Sequence, residues 1–295
     1  MDDGKTLLDS SSLNYLENLI NQAANANNHL HLNSQLLTII KDLFVNYNYH
    51  QRKTNSPNPL NKYGKKCFSQ TDEDGITYEI IRRLDIKRGN FAEFGVGNGL
   101  ENNTLLLSSL GWKGFWVGGE DLVFESPENE NFCYIKDWIT LENILKIIKE
   151  TKEKIKINDL DVISLDLDGN DFHFCKEILK NKIFPKLFIV EYNAKFFPPI
   201  EFIMKYDQFH SWQLDDHYGA SLMSFYKLFK EFDYKLVCCN SHTGANAFFV
   251  QNKFANKFKD VPSEIKNIFM EPNFELACKY GHFSSVKVVE NIINR

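Results

Sequence analysis

The sequence has no Cys-x-x-Cys pair, no histidine cluster beside a cysteine, no apolar run long enough to cross a bilayer and no excess of positive charge. Each absence closes a class of function. The six cysteines, at 67, 133, 175, 238, 239 and 278, are scattered, which argues against a zinc module or a disulfide framework. Several fall in apolar runs, where a thiol behaves as a small buried hydrophobe. Lys and Arg number 34 against 39 Asp and Glu, a formal net charge of −5, so no basic surface advertises nucleic acid or an anionic membrane. Residues 1–5 begin acidic with no apolar segment behind them, and a soluble cytoplasmic protein is the expectation. The 295 residues are ample for one large α/β core with extensions.

What is present is organised around residues 91–104. A short apolar run carrying Glu93 leads into Gly95, Gly97 and Gly99 at alternate positions, and then into helix-compatible leucines from Leu105 to Leu110. This is the pattern of strand, tight loop and helix. Glycine tolerates positive φ and lets a ligand approach the backbone, and the helix start behind the loop offers free N–H groups. The dinucleotide fingerprint requires a third glycine three positions after the second, and that position is Leu100.

Strand and helix patterns then alternate as a doubly wound sheet demands. Residues 114–119 form a second strand ending at Glu120, where a carboxylate can accept from both hydroxyls of a nucleoside ribose. Residues 132–135 form a third, followed by Asp137 and by Trp138, which either stacks on an adenine or packs in the core, and a helix is expected from Thr140. The fourth, residues 160–165, ends in Asp166, Asp168, Gly169, Asn170 and Asp171. The fifth, residues 187–190, ends in Glu191, Tyr192 and Asn193. Ligands of open α/β sheets bind beyond the carboxyl ends of the strands, so these clusters should face one crevice with the glycine loop. A long polar and aromatic connection, residues 195–217, carries His210, Trp212 and His217, and an apolar hairpin at 234–250 closes the sheet. The fold class is therefore α/β: a seven-stranded Rossmann-like sheet, last strand antiparallel, with helices on both faces.

The alternation Glu93-x-Gly95-x-Gly97-x-Gly99 resembles motif I of class I S-adenosylmethionine-dependent methyltransferases. The segment Ser69-Gln70-x-x-Glu73-Asp74-Gly75, the cluster at 165–171, Glu191-Tyr192-Asn193, Tyr218-Gly219-Ala220-Ser221 and the hairpin residues 239–241 and 246–250 resemble an FkbM-like family of these enzymes over residues 66–252. The resemblance implies S-adenosylmethionine as cofactor, held by Gln70, Glu73, Glu93, Gly95, Val96, Gly97, Asn98, Gly99, Asn103, Thr104, Glu120, Trp138 and Asp166. It is silent on the acceptor, for which a sugar, glycan or other small hydroxyl compound is the expectation.

Methyl transfer from a sulfonium is an in-line displacement, dominated by positioning and activation of the acceptor. A hydroxyl acceptor benefits from a base or a metal ion, for which Asp166, Asp168 and His217 are the catalytic candidates. Asp168, Glu191 and Asn193 would supply oxygen ligands to a Mg²⁺-like ion. The competing structural reading makes residues 168–171 a turn that caps the next helix. A non-catalytic interaction protein on the same scaffold, or an NAD-dependent oxidoreductase, are the alternatives, the missing glycine at 100 counting against the second.

Outside residues 61–255, residues 1–60 read as a helical extension and residues 256–295 as a helical tail. Leu13, Leu16, Leu19 and Ile20 share one helical face, as do Leu36, Leu37, Ile40, Leu43 and Phe44, with an Asn-rich break at 24–33; these faces are candidates for packing on the main domain or for a homo-oligomer contact. Residues 51–66 read as a linker or mobile loop. Ser69 or Asp72 is placed to cap the helix that follows, with Glu73 reaching back. Residues 274–293 resemble half of an ankyrin repeat, which cannot bury its own face alone.

Overall fold

The computed structural model describes residues 14, 15, 17, 18, 21, 29–125, 130–273 and 285–293. A seven-stranded sheet forms its centre, in the order β3-β2-β1-β4-β5-β7-β6. Strands β1 (Asn90–Phe94), β2 (Lys113–Gly118), β3 (Phe132–Lys136), β4 (Val162–Leu165) and β5 (Leu187–Glu191) are mutually parallel, and β7 (Asn246–Gln251) runs antiparallel to both β5 and β6 (Tyr234–Cys239). The central strands read as near-continuous apolar runs because helices cover both of their faces, and Phe94, Phe115, Ile163 and Ile189 have no exposed surface.

Helix α1 (His29–Asn55) precedes the sheet, α2 (Glu73–Leu84) enters it, and α3 (Leu105–Ser109), α4 (Ile144–Lys154), α5 (Asp171–Lys180) and α6 (Leu222–Glu231) make the crossovers. Helix α6 starts where Ser221 accepts a hydrogen bond from the amide of Ser224, a regular N-cap. Helix α7 (Val286–Ile293) lays Val288 against Phe196, Phe202 and Met204. Beyond position 255 the core continues without a break, since Phe258, Val261, Ile268 and Met270 belong to the same buried cluster as the strands.

Three expectations change. Residues 51–66 are not a free linker: α1 runs to Asn55, and a 3-10 turn, Pro59–Tyr63, packs on the open edge of β6. There the Asn58 and Asn61 side chains donate to the carbonyls of Val237 and Cys239, satisfying an edge that would otherwise be unpaired. The helix after β3 begins at Ile144, because Asn143 turns its side-chain oxygen to the amide of Thr140 and holds residues 141–143 as a turn. Helix α1 is already formed at His29, inside the expected Asn-rich break. Residues 274–284 of the ankyrin-like segment, and all four residues of the first N-terminal apolar face, lie outside the described residues. Cys133, Cys175, Cys238 and Cys239 are buried, as small hydrophobes would be. Among the described residues no helix is long and apolar enough to cross a membrane.

Candidate functional site

The carboxyl edge of the sheet positions the site. Register pairs Phe94 with Leu165, Leu165 with Val190 and Val190 with Ala247, so one step further Gly95 just past β1, Asp166 just past β4, Glu191 at the end of β5 and Asn246 at the start of β7 follow in a row. Level neighbours in a sheet project from the same face. Three polar side chains and a glycine therefore meet in a row.

Gly95 has φ +86, and a Cβ there would lie 1.7 Å from the carbonyl oxygen of Asp166. Only glycine lets β1 and β4 approach so closely. Gly97, at φ +50, would meet nothing within 4 Å and faces open space, whereas a Cβ on Gly99 would meet Leu122 and Phe124. Behind the loop, Glu93 fixes the start of α3: its carboxylate accepts the amides of Asn103 and Thr104 and the Thr104 hydroxyl, which in turn accepts from the Trp116 indole. Burial pushes Glu93 up to about 7 despite these donors.

A crevice of 330 Å³ opens in front of this loop. Gly95, Gly97, Glu120, Trp138, Asp166 and Asp168, all singled out by sequence, line it together. Trp138 is 54% exposed, so it is not core; its indole N–H donates to the carbonyl of Gln208 and its ring lies over Gly119, 3.6 Å from where a Cβ would be. The other residues expected at the cofactor stand elsewhere. Glu93, Asn103 and Thr104 form the buried support just described, and Val96 is buried against Gly118. Asn98 is exposed and caps its own turn by accepting from the Leu100 amide, and Gln70 is exposed with its carbonyl held by Lys66.

Glu73 is fully buried, reaching back to the amide and hydroxyl of Thr71 and accepting from Asn240 and Asn246. The neighbouring Asp72 makes no cap; it takes the Ser241 hydroxyl and the amides of Ser241 and His242, tying α2 to the β6–β7 hairpin.

Asp166 and Asp168 on the crevice lining form a cluster with Glu191, which is not part of that lining: one ligand atom from each of the three falls within 4.8 Å of the others. Asp166 and Glu191 are half-buried and Asp168 stands exposed at the mouth with φ +51. Burial raises Asp166 well above the usual carboxylate range, and Asp168 beside it adds to the effect. Glu191 is raised likewise, by burial first and by Asp166 second. One Glu191 oxygen, Oε2, is buried with no hydrogen-bond partner. Asn193, expected beside them as a ligand, does not join the cluster: its amide nitrogen donates to the carbonyls of Asp216 and Tyr218, and its oxygen accepts from Lys195. Asp171 closes the 166–171 turn through the amides of Leu167 and Gly169, the N-cap residue Asn170 makes no side-chain cap to α5, and Asp166 and Asp168 remain on the crevice.

The roof is the long connection after β5. Asn170 exchanges hydrogen bonds with Asp207, and the His210 ring packs on Gly169, where a Cβ would come within 2.4 Å of it. His210, Ser211 and Trp212 thereby line the crevice, residues that the sequence placed only in a long ordered loop. His217 stands half-buried one ring behind, 5.8 Å from His210, and burial first, then His210, lowers its pKa. A larger hollow, of 660 Å³, lies between α1 and residues 266–273 beside Arg52 and Phe44. It lies apart from the glycine loop and the carboxylate row.

No family model matches the chain, and no curated protein matches it by sequence. Solved structures do. A TDP-rhamnose 3'-O-methyltransferase of calicheamicin biosynthesis is 12% identical, with 85% of this chain and 99% of that one covered at a TM-score of 0.36. A Podospora anserina methyltransferase solved with S-adenosylhomocysteine bound is 10% identical, over 83% and 98% of the two chains, at a TM-score of 0.35. The mycinamycin-pathway methyltransferase MycE, solved with Mg, S-adenosylhomocysteine and mycinamycin VI, is 14% identical over 59% and 45%, at a TM-score of 0.32. These likenesses concern the fold, and at such values they add nothing to the sheet order and site geometry described above.

Proposed function

We propose that the protein transfers the methyl group of S-adenosylmethionine to a hydroxyl of a sugar, glycan or other small hydroxyl compound, with a divalent cation assisting. The observation that carries this reading is the meeting of two kinds of group in one crevice: glycine backbone, Glu120 and an exposed indole, together with Asp166 and Asp168, which cluster with Glu191. Glu120, at the carboxyl end of β2, would accept from the ribose hydroxyls, Trp138 would stack on the adenine, and the open space at Gly97 would admit the cofactor's backbone contact.

In the reaction a lone pair of the acceptor oxygen forms the new C–O bond as the C–S bond breaks. Sulfur leaves with the bonding pair as a neutral thioether, S-adenosylhomocysteine. The hydroxyl proton passes to a carboxylate of Asp166 or Asp168, with His217 behind His210 as a further acceptor; its lowered pKa leaves it neutral at pH 7. The carboxylates fit a divalent ion, since Glu191 Oε2 is a buried acceptor without a partner and three ligand atoms already converge. Such an ion, when bound, supplies positive charge that favours the ionised form of an acceptor hydroxyl. The chain's own part is to orient that hydroxyl toward the sulfonium and to exclude water beneath residues 207–212.

Calorimetric titration with S-adenosylhomocysteine tests the cofactor half. Micromolar binding is expected, weakened about tenfold or more in Glu120→Ala, the loss of a hydrogen bond to a charged group. Absence of binding to the wild-type protein would overturn the reading.

A further inference from the structure

The carboxylate row does not end at Glu191. Asn246, the first residue of β7, pairs directly with Glu191 across an antiparallel ladder, so the two side chains leave the same face of the sheet. Asn246 is only 2% exposed, and its side-chain oxygen has no hydrogen-bond partner. The orientation of the amide is fixed from behind. Its nitrogen donates to Glu73 Oε1 at 3.3 Å, and Asn240 donates to the same oxygen at 2.9 Å. Committing the nitrogen to Glu73 leaves the carbonyl branch directed away from that carboxylate. Two unsatisfied acceptors, Asn246 Oδ1 and Glu191 Oε2, thus occur on adjacent, register-paired residues, and Glu191 belongs to the carboxylate cluster with Asp166 and Asp168.

A buried oxygen without a donor is destabilising, and two together in an acidic setting call for a shared positive partner. A proton on Glu191 could serve one of them. A hard divalent cation serves both, because amide carbonyls and carboxylates are the ligands such ions prefer, and a carbonyl contributes coordination without adding further negative charge.

We propose that Asn246 Oδ1 is a ligand of a divalent cation, of the oxygen-preferring Mg²⁺, Mn²⁺ or Ca²⁺ class, bound together with Asp166, Asp168 and Glu191. This deepens the metal-assisted part of the proposed function and rests on it. Glu73 is then a positioning residue, which sets the direction of the Asn246 amide and does not itself touch the ion. The four ligands come from the turn after β4, from β5 and from β7, so the ion would clamp the parallel part of the sheet to the antiparallel strand beside it.

The test uses Mn²⁺ alone as probe, read by electron paramagnetic resonance of free Mn²⁺ and by the thermal shift it produces, on the full chain. Wild type should bind it, and Asn246→Leu should weaken binding about tenfold or more, as removal of a coordinating or orienting group does. Asn246→Asp keeps the size and an oxygen in place, and should retain binding. Retention in the aspartate variant together with loss in the leucine variant identifies an oxygen ligand. Mn²⁺ affinity unchanged in Asn246→Leu but lost in Glu191→Gln would overturn the assignment while leaving the metal site. Equal loss in both Asn246 variants, with matching drops in melting temperature, would overturn it in favour of a structural role. If wild type binds no Mn²⁺ yet binds S-adenosylhomocysteine, the cation site fails and the methyltransferase reading stands; if it binds neither, both fail.

Discussion

Glu93 and Glu191 are carboxylates on neighbouring parts of one sheet, both near strand ends, and they are treated in opposite ways. On the β3-β2-β1 side, Glu93 accepts three donors and holds a glycine loop whose backbone is left open. On the β4-β5-β7 side, Glu191 keeps an oxygen with no partner beside Asp166 and Asn246. One half of the edge is finished internally and offers shape, while the other is left unfinished and offers charge. A two-substrate reaction needs both kinds of wall, a moulded one for a common cofactor and a reactive one for the acceptor.

The largest way to break the finished half is at Gly95. Gly95→Ala places a methyl group against the Asp166 carbonyl at positive φ, where backbone must move, and should destabilise by about 3–5 kcal/mol in chemical denaturation. The next effect is a pH dependence. Glu93 has its folded pKa raised to about 7, above the ordinary carboxylate value of 4.5. Between those two values the folded state holds a proton that the unfolded chain has released, so stability falls as pH rises from 4.5 to about 7 and then levels. At 1.36 kcal/mol per pKa unit this is about 3 kcal/mol. Glu93→Gln should flatten that part of the stability profile; an unchanged slope would show that other groups carry it.

The unfinished half responds differently. Glu191→Gln removes a buried carboxyl group whose Oε2 lacks a partner and whose ionised form burial and Asp166 disfavour, so in metal-free buffer stability should stay within about 1 kcal/mol of wild type or rise. A loss of several kcal/mol would mean that Glu191 is as internally committed as Glu93. Trp138→Ala should leave melting unchanged, because the indole is exposed, while weakening S-adenosylhomocysteine binding by about 1–3 kcal/mol if the ring stacks on adenine. The smallest effect is expected at Gly97→Ala, about 1 kcal/mol of left-handed strain with no clash, in contrast with Gly95 two residues before it.

Much of the fold was legible because hydrophobic runs of strand length ended repeatedly in glycines or carboxylates. The seven strands, the antiparallel hairpin and the convergence of Gly95, Glu120, Trp138, Asp166 and Asp168 on one crevice all follow from that pattern and from the rule that ligands meet strand carboxyl ends. Less legible were the directions of individual side chains. Glu93 sits in the expected place, yet its carboxylate faces the α3 start, a choice made by Asn103 and Thr104 ten residues away. Asn193 is drawn into its own loop by carbonyls at 216 and 218, and Asn246 enters the row only through pairing with Glu191, far away in sequence. His210 reaches the crevice by packing on Gly169, a contact that no local spacing encodes. The 51–66 segment misled because its Pro and Gly content reads as a loop, whereas its asparagines are complementary to the unpaired edge of β6.

Hydrogen exchange of the wild-type protein, with and without S-adenosylhomocysteine, tests the division between the two walls most directly. Slowed exchange is expected at residues 95–99, 118–121 and 137–139, around the 330 Å³ crevice. Protection instead at residues 48–57 and 266–273, around the 660 Å³ hollow beside α1, would contradict it.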